Sequence, residues 1–225
     1  SKNEIIEISA KKLKKYGTVT LNQYYNELIL SRFEDEYKNY FNKLNYQPSN
    51  YFSNTNILPL SKNLADLWFD ETITSIIEKY IKRLPVAAYY PIIQSVTPKY
   101  TNLVGEHPNR IIKSELADKF HLDHSTFVQA AIYFTDVDEG TPHTEVVLGT
   151  HTYPNLTNPL FLSKEYVSKN NLTVKKNIGK RGSVVFHCGN VFHRLCPVQN
   201  STRTWLKFGY TSGNNITLDS ERIGI

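Results

Sequence analysis

The sequence predicts a mainly β fold with flanking helices: a double-stranded β-helix, or jelly roll, buttressed by helices that precede it in the chain. Three observations predict this. The first 85 residues read mostly helical; from Pro85 onward, short apolar or alternating runs are punctuated by Gly, Pro and Asn; and helices come before strands instead of alternating with them, which argues against a parallel βαβ sheet. A chain of 225 residues can bury a sizeable core but is short for two ordinary domains. One domain over 1–225 is expected, with 1–85 as the helical buttress and 86–225 as the jelly-roll core.

The elements follow in order. Leu30, Phe33, Tyr37, Phe41 and Leu44 recur at steps of three and four, which predicts one apolar stripe on a helix over 22–46. A second stripe, Ile73, Ile76, Ile77, Tyr80, Ile81 and Leu84, follows Asp70 as N-cap and is expected to stop at Pro85. Between them, NYQPSNYFSNTNILPLS has the Pro, Asn and Ser content of a loop, in which Tyr51 and Phe52 either reach a pocket or sit half-buried on the surface. The expected strands lie in VAAYYPIIQSV, TFVQAAIYFTDV, TEVVLGT, NLTVKK, GSVVFHC and TRTWLKFGYTS. The chain has no internal repeat.

Composition excludes several classes. A hydrophobic content of 40% with 12% aromatics excludes a disordered chain, and no apolar run approaches the roughly 20 residues that cross a bilayer. The opening SKNEIIEISAKKLKKYG lacks the apolar centre of a secretory signal, so a cytoplasmic protein is expected. Net charge is +5, with basic clusters at Lys11–Lys15 and Lys175–Arg181. These read as solvated faces, and without a recognition motif or interleaved aromatics no nucleic-acid partner is expected. Cys188 and Cys196 are too few for a disulfide framework and read as free thiols. The sequons at Asn155, Asn171, Asn200 and Asn215 read as coincidence in an Asn-rich chain.

Chemistry concentrates in two stretches. In HLDHSTFVQAAIYFTDVDEG, His121 and Asp123 stand at i and i+2, so on an extended segment both point to one side and can grip one face of a metal. A lone His-x-Asp is weak evidence. In GSVVFHCGNVFHRLCPVQNSTRTWLKFGYTS, a strand leads to His193, and after a Pro and Asn turn a further strand carries Arg203. A histidine, a carboxylate, a distant histidine and an arginine are the parts of a 2-His-1-carboxylate iron site with an anchor for an anionic cosubstrate. His187 competes with His193 for the distal position.

These residues resemble the phytanoyl-CoA dioxygenase-like branch of the iron(II)/2-oxoglutarate-dependent oxygenases, a family of cupin-like jelly rolls. KKYGTVTLNQYYNELILSRFEDEY resembles its opening strand and helix; HLDHSTFVQAAIYFTDVDEGTPHTEVVLGTH resembles its His-x-Asp, the following Thr-Asp run and its Gly-Ser-His ending, here Gly149, Thr150 and His151; and Gly182 to Arg203 resembles its distal-histidine strand, Pro-x-x-Asn turn and arginine ten residues on. The resemblance implies that His121, Asp123 and His193 are the Fe(II) ligands, leaving three positions for 2-oxoglutarate and dioxygen. It implies that Arg203 pairs with the far carboxylate of 2-oxoglutarate, for which its planar fork is suited, and that Gln129 contacts cosubstrate or substrate, although a strand Gln facing solvent fits the residues equally. The family pattern selects His193 over His187, which then reads as packing. A carboxylate at Asp123 implies oxygen transfer, since relatives that transfer chloride have Gly or Ala there. Thr150 departs from the usual Ser, and the short chain implies few lid insertions.

The activity so implied is hydroxylation of an unactivated C–H bond of a small polar metabolite, with release of succinate and carbon dioxide. A cupin-type metal-dependent hydrolase or isomerase is one alternative, which Arg203 disfavours; a non-catalytic binding module is another, disfavoured by the complete ligand set. His107, His124 and His143 read as surface or pocket-rim residues, His151 as structural, Trp205 as core, and both cysteines as spectators. Tyr51, Phe52, Tyr89, Tyr90, Glu106, Arg110 and His143 are candidate substrate contacts.

Overall fold

Strand pairing builds two five-stranded sheets whose pairs are all antiparallel, one in the order β1-β8-β4-β10-β2 and the other β6-β3-β9-β5-β7. The computed structural model describes residues 1–43, 61–96, 119–123, 127–152, 161–196 and 201–212. Tyr51, Phe52, Glu106, His107, Arg110, His124, the turn 197–200 and the sequons at Asn155, Asn200 and Asn215 lie outside the described residues, as do the side chains of Phe41, Tyr89 and Tyr90. The first sheet is formed by β1 (Thr18–Leu21), β2 (Val86–Val96), β4 (Val128–Tyr133), β8 (Val184–Cys188) and β10 (Arg203–Thr211). The second is formed by β3 (Lys119–His121), β5 (His143–Val147), β6 (Phe161–Ser163), β7 (Val174–Asn177) and β9 (His193–Cys196).

Five α-helices accompany the sheets among the described residues: α1 (Lys2–Tyr16), α2 (Glu27–Lys43), α3 (Lys62–Trp68), α4 (Glu71–Ile81) and α5 (Lys164–Lys169). The outer face of the first sheet, which includes Val128, Ala130, Ile132, Val184, Phe186, Leu206, Phe208 and Tyr210, packs against Leu13 of α1, Phe33 of α2, Trp68 of α3 and Ile73, Ile76 and Ile77 of α4. The three α4 isoleucines are fully buried, which stabilises by about 1.5–3 kcal/mol each. Asp70 caps α4 as its sequence position predicts, accepting from the N–H groups of Thr72 and Ile73 at 2.9 and 3.0 Å. The helix ends before Pro85, because Lys82 adopts a left-handed conformation (φ 57°), and Leu84 is exposed instead of completing the stripe. Likewise α2 begins at Glu27 and not at Asn22: Gln23 has φ 45°, which no helix accommodates, and Asn26 accepts from the Ile29 N–H.

The Lys175–Arg181 cluster is only partly the solvated face it resembles in sequence. Arg181 donates to Glu27 and Glu34 of α2 at 2.8 Å and lies over the Phe134 ring, tying α2 to the sheet. Its neighbour Gly182 accepts from the Tyr25 N–H and donates to the Tyr133 carbonyl. Gly182 has φ +86°, and a Cβ there would overlap the Tyr25 carbonyl oxygen. Gly182→Ala combines left-handed strain with a backbone clash and is expected to cost about 2–4 kcal/mol. A lower urea midpoint at unchanged slope is the expected readout; an unchanged midpoint would mean that this junction relaxes freely. Among the described residues, no helix is long and apolar enough to cross a membrane.

Candidate metal centre

The space between the sheets is lined by alternate residues of each strand. On the first sheet Gln129, Ala131, Tyr133, Val185, His187, Arg203, Trp205 and Lys207 share the inward face, as their cross-strand pairs require. On the second, His121, Thr144, Val146 and His193 share it. Part of this layer is apolar, with Tyr133 stacked on Trp205 at 6.2 Å and Ala131, Val137 and Val185 around them.

His121, the last residue of β3, is the register partner of His193, the first of β9, with ring centroids 4.5 Å apart. Asp123 lies just beyond β3, and its N–H donates to the Gly189 carbonyl at 2.9 Å, which ties it to the turn from which His193 emerges. One donor atom from each of His121, Asp123 and His193 lies within 4.8 Å of the others. Asp123 Oδ2 stands 3.6 Å from His193 Nε2. That is too long for a hydrogen bond, yet it suits a cation about 2 Å from each. His193 Nδ1 lies 2.9 Å from the Val191 carbonyl oxygen. A carbonyl only accepts, so Nδ1 carries a proton and Nε2 is the nitrogen turned toward Asp123. Two imidazoles and one carboxylate on one face can hold a divalent first-row metal and leave open positions opposite.

His187 is buried, with its ring centroid 4.9 Å from that of His193, and it is not part of this donor group. Burial, and then the neighbouring His193, push its pKa down to about 3, so it is a neutral imidazole. Reading it as simple strand packing misses its position, opposite Gln129 on the inward face. Gln129 is only 7% exposed, which removes the solvent-facing alternative.

Arg203 is buried, with its guanidinium carbon 3.6 Å from the Trp205 ring centroid and Nη1 3.4 Å from Thr144 Oγ1 of the facing sheet. Trp205 in turn donates to Gln94 Oε1 at 2.6 Å, so it is both core and platform for the cation. Lys207 Nζ lies 5.2 Å from the same ring.

Two sequence readings, of His143 and of the cysteines, need correction or refinement. Arg194 follows His193 on β9 and so faces away from the site, donating from Nε to Glu145 at 2.7 Å. His143 is neither surface nor pocket rim: it is 2% exposed, on the opposite face of β5 from Thr144. Cys188 and Cys196 are both free, as expected, but Cys196 lies on that same outer face as the register partner of His143. The cluster is charged. His143 lowers the Glu145 carboxyl most, with Arg194 adding to it, to about 2; burial opposes protonation of His143, yet Cys196, Glu145 and the Thr141 carbonyl raise it to about 9. His151 keeps its structural role, its Nε2 3.0 Å from the Lys14 carbonyl.

No family model and no curated protein matches the chain. Solved structures do. The non-haem α-ketoglutarate-dependent epimerase SnoN from nogalamycin biosynthesis has a TM-score of 0.63 at 13% identity over 93% of this chain and 84% of its own. The α-ketoglutarate-dependent carbocyclase SnoK has 0.63 at 15% identity, over 96% and 90%. HygX from Streptomyces hygroscopicus, with nickel and 2-oxoglutarate bound, has 0.63 at 12% identity, over 94% and 87%. At such identities the likeness is one of fold: the mainly β, jelly-roll architecture expected from the sequence is the architecture these proteins share.

Proposed function

We propose that this chain is a non-haem iron(II)/2-oxoglutarate-dependent oxygenase that hydroxylates an unactivated C–H bond of a small polar metabolite in the cytoplasm. The observation that carries the reading is the convergence of His121, Asp123 and His193 on the inward face of one sheet with Arg203 buried on the inward face of the other. In it, His121, Asp123 and His193 hold the iron. When bound, the metal with 2-oxoglutarate and dioxygen supplies the oxidising power to remove a hydrogen atom from the substrate, with succinate and carbon dioxide as co-products.

The chain's own residues do the positioning. Thr144, against which Arg203 rests, is two residues along β5 from Val146, the register partner of His193, a separation of roughly 7 Å along the strand. A five-carbon dicarboxylate can place one end at the metal and the other at the Arg203 fork. Gln129 and His187, across from the metal, are polar contacts for whatever lies beside it. Asp123 keeps a carboxylate where a halide would otherwise bind, which favours oxygen transfer. The low-polarity layer of Tyr133, Val185 and Trp205 excludes water from the reacting centre. Two unbonded cysteines support a reducing compartment.

The fold neighbours include an α-ketoglutarate-dependent epimerase and an α-ketoglutarate-dependent carbocyclase, so mass analysis of the product tests hydroxylation against those two outcomes. A cupin-type hydrolase or isomerase would use the same three donors without calling on a guanidinium held at the inward face.

Thermal unfolding separates the readings. The protein is expected to be stabilised by Mn(II) and further stabilised by 2-oxoglutarate only when Mn(II) is present, by about 2.7 kcal/mol at a hundredfold excess over Kd. No added stability from 2-oxoglutarate in the Mn(II)-loaded protein would overturn the oxygenase reading in favour of the hydrolase.

A further inference from the structure

The outer face of the second sheet carries a donor set that the oxygenase chemistry does not use. We propose that His143, Glu145 and Cys196 form a second metal site, for a zinc ion, on the opposite side of β5 and β9 from the iron site.

One donor atom from each of the three lies within 4.8 Å of the others. Their positions follow from register: His143 pairs with Cys196, Glu145 pairs with Arg194, and strand alternation points these residues away from His193 and Val146. His143 Nδ1 lies 2.9 Å from the Thr141 carbonyl, which fixes one proton there and presents Nε2 to the cluster, the orientation that metal-bound imidazoles commonly have; the proton on Nε2 is the one released when the metal binds. Nε2 is buried and makes no hydrogen bond among the described residues; its nearest carboxylate oxygen is Glu145 Oε1 at 3.7 Å. That spacing approaches the roughly 3.4 Å edge of a tetrahedron with bonds of about 2.1 Å.

Glu145 is prepared for this role. Arg194 donates to Oε2 from both Nε and Nη2, at 2.7 and 2.5 Å, so that Oε1 is the oxygen turned to His143. Arg194 itself is held over the Phe120 ring, 4.8 Å from its centroid. A thiolate, an imidazole and a carboxylate form a borderline-soft set that suits zinc better than the oxygen-activating iron, and three protein donors leave a fourth position for water. Separation by the thickness of the sheet also keeps the Cys196 sulfur away from the oxidising centre. Bound there, zinc pins β5 to β9, the strand that delivers His193.

Cobalt(II) reports the two sites separately. A thiolate ligand gives Co(II) a near-ultraviolet charge-transfer absorption that two imidazoles and a carboxylate cannot give. The full-length protein, stripped with chelator and reloaded, is expected to hold two Co(II) per chain and to show this band, which one equivalent of Zn(II) removes. Cys196→Ser is expected to hold one Co(II) without the band, whereas His121→Ala is expected to lose one Co(II) and keep it. Absence of the band in the native protein, or its persistence in Cys196→Ser, would overturn the proposal and leave an ion-paired cluster of Arg194, Glu145 and His143. Because the band is independent of His121, failure of the oxygenase reading and failure of the zinc site give different results.

Discussion

His193→Ala is expected to leave the chain unable to hold a divalent metal at neutral pH, while His187→Ala is expected still to hold it. Both histidines are buried and their rings stand 4.9 Å apart, so size and burial do not distinguish them. Their placement does. His193 has its Nδ1 proton on the Val191 carbonyl and its Nε2 toward Asp123, whereas His187 projects from the other sheet. Removing one of three donors should cost more than the roughly 10–100-fold lost when only a supporting partner is removed. His187→Ala deletes a buried ring and is expected to cost about 1–3 kcal/mol of stability with metal affinity retained. Mn(II) titration followed by electron paramagnetic resonance, beside urea unfolding of each variant, checks both halves. Metal retained in His193→Ala and lost in His187→Ala would move the site to the other sheet and break its correspondence with His121 and Asp123.

The same pair shows how far the sequence could be read. The strand Val184–Cys188 and the long strand Val86–Val96 are legible because apolar, β-branched and aromatic residues fill short runs between turn signals. The helix at Glu71–Ile81 is legible because its period and its Asp70 cap agree. What composition does not carry is the change of sheet between Cys188 and His193, where the chain leaves one sheet and enters the middle of the other, between β3 and β5. A three-residue strand such as Lys119–His121 also has too few positions to show a period. Only the resemblance separated His193 from His187. In the same way, the inward or outward aim of Gln129 and His143 depends on register with partners about 50 residues away or more, and a one-residue shift would exchange the two faces. The Cys196 cluster was invisible for this reason: His143 and Glu145 stand at i and i+2 on β5, but Cys196 lies far along the chain and meets them only across β5 and β9.

Arg203→Ala is expected to raise the 2-oxoglutarate requirement steeply while leaving metal affinity nearly intact. The guanidinium is buried between the sheets, stacked on Trp205 and resting on Thr144, so its orientation is set before any ligand arrives. Removing one partner of a desolvated charge pair costs about 2–5 kcal/mol, which is about 30- to 5,000-fold in affinity. Arg203→Lys keeps the charge but not the planar fork, and is expected to fall between native and alanine variants. The proposed metal ligands lie on the other sheet, so Mn(II) binding should change little in either variant. Deleting a side chain from this layer also leaves a void beneath Trp205, so the comparison is made by calorimetric titration of 2-oxoglutarate into Mn(II)-loaded proteins at a temperature where both are folded. If affinity is unchanged in Arg203→Ala, the anchor is Lys207, whose ammonium approaches the same tryptophan ring at 5.2 Å. Arg194 is no alternative, because strand alternation turns it to the far side of the sheet and Glu145 holds it there.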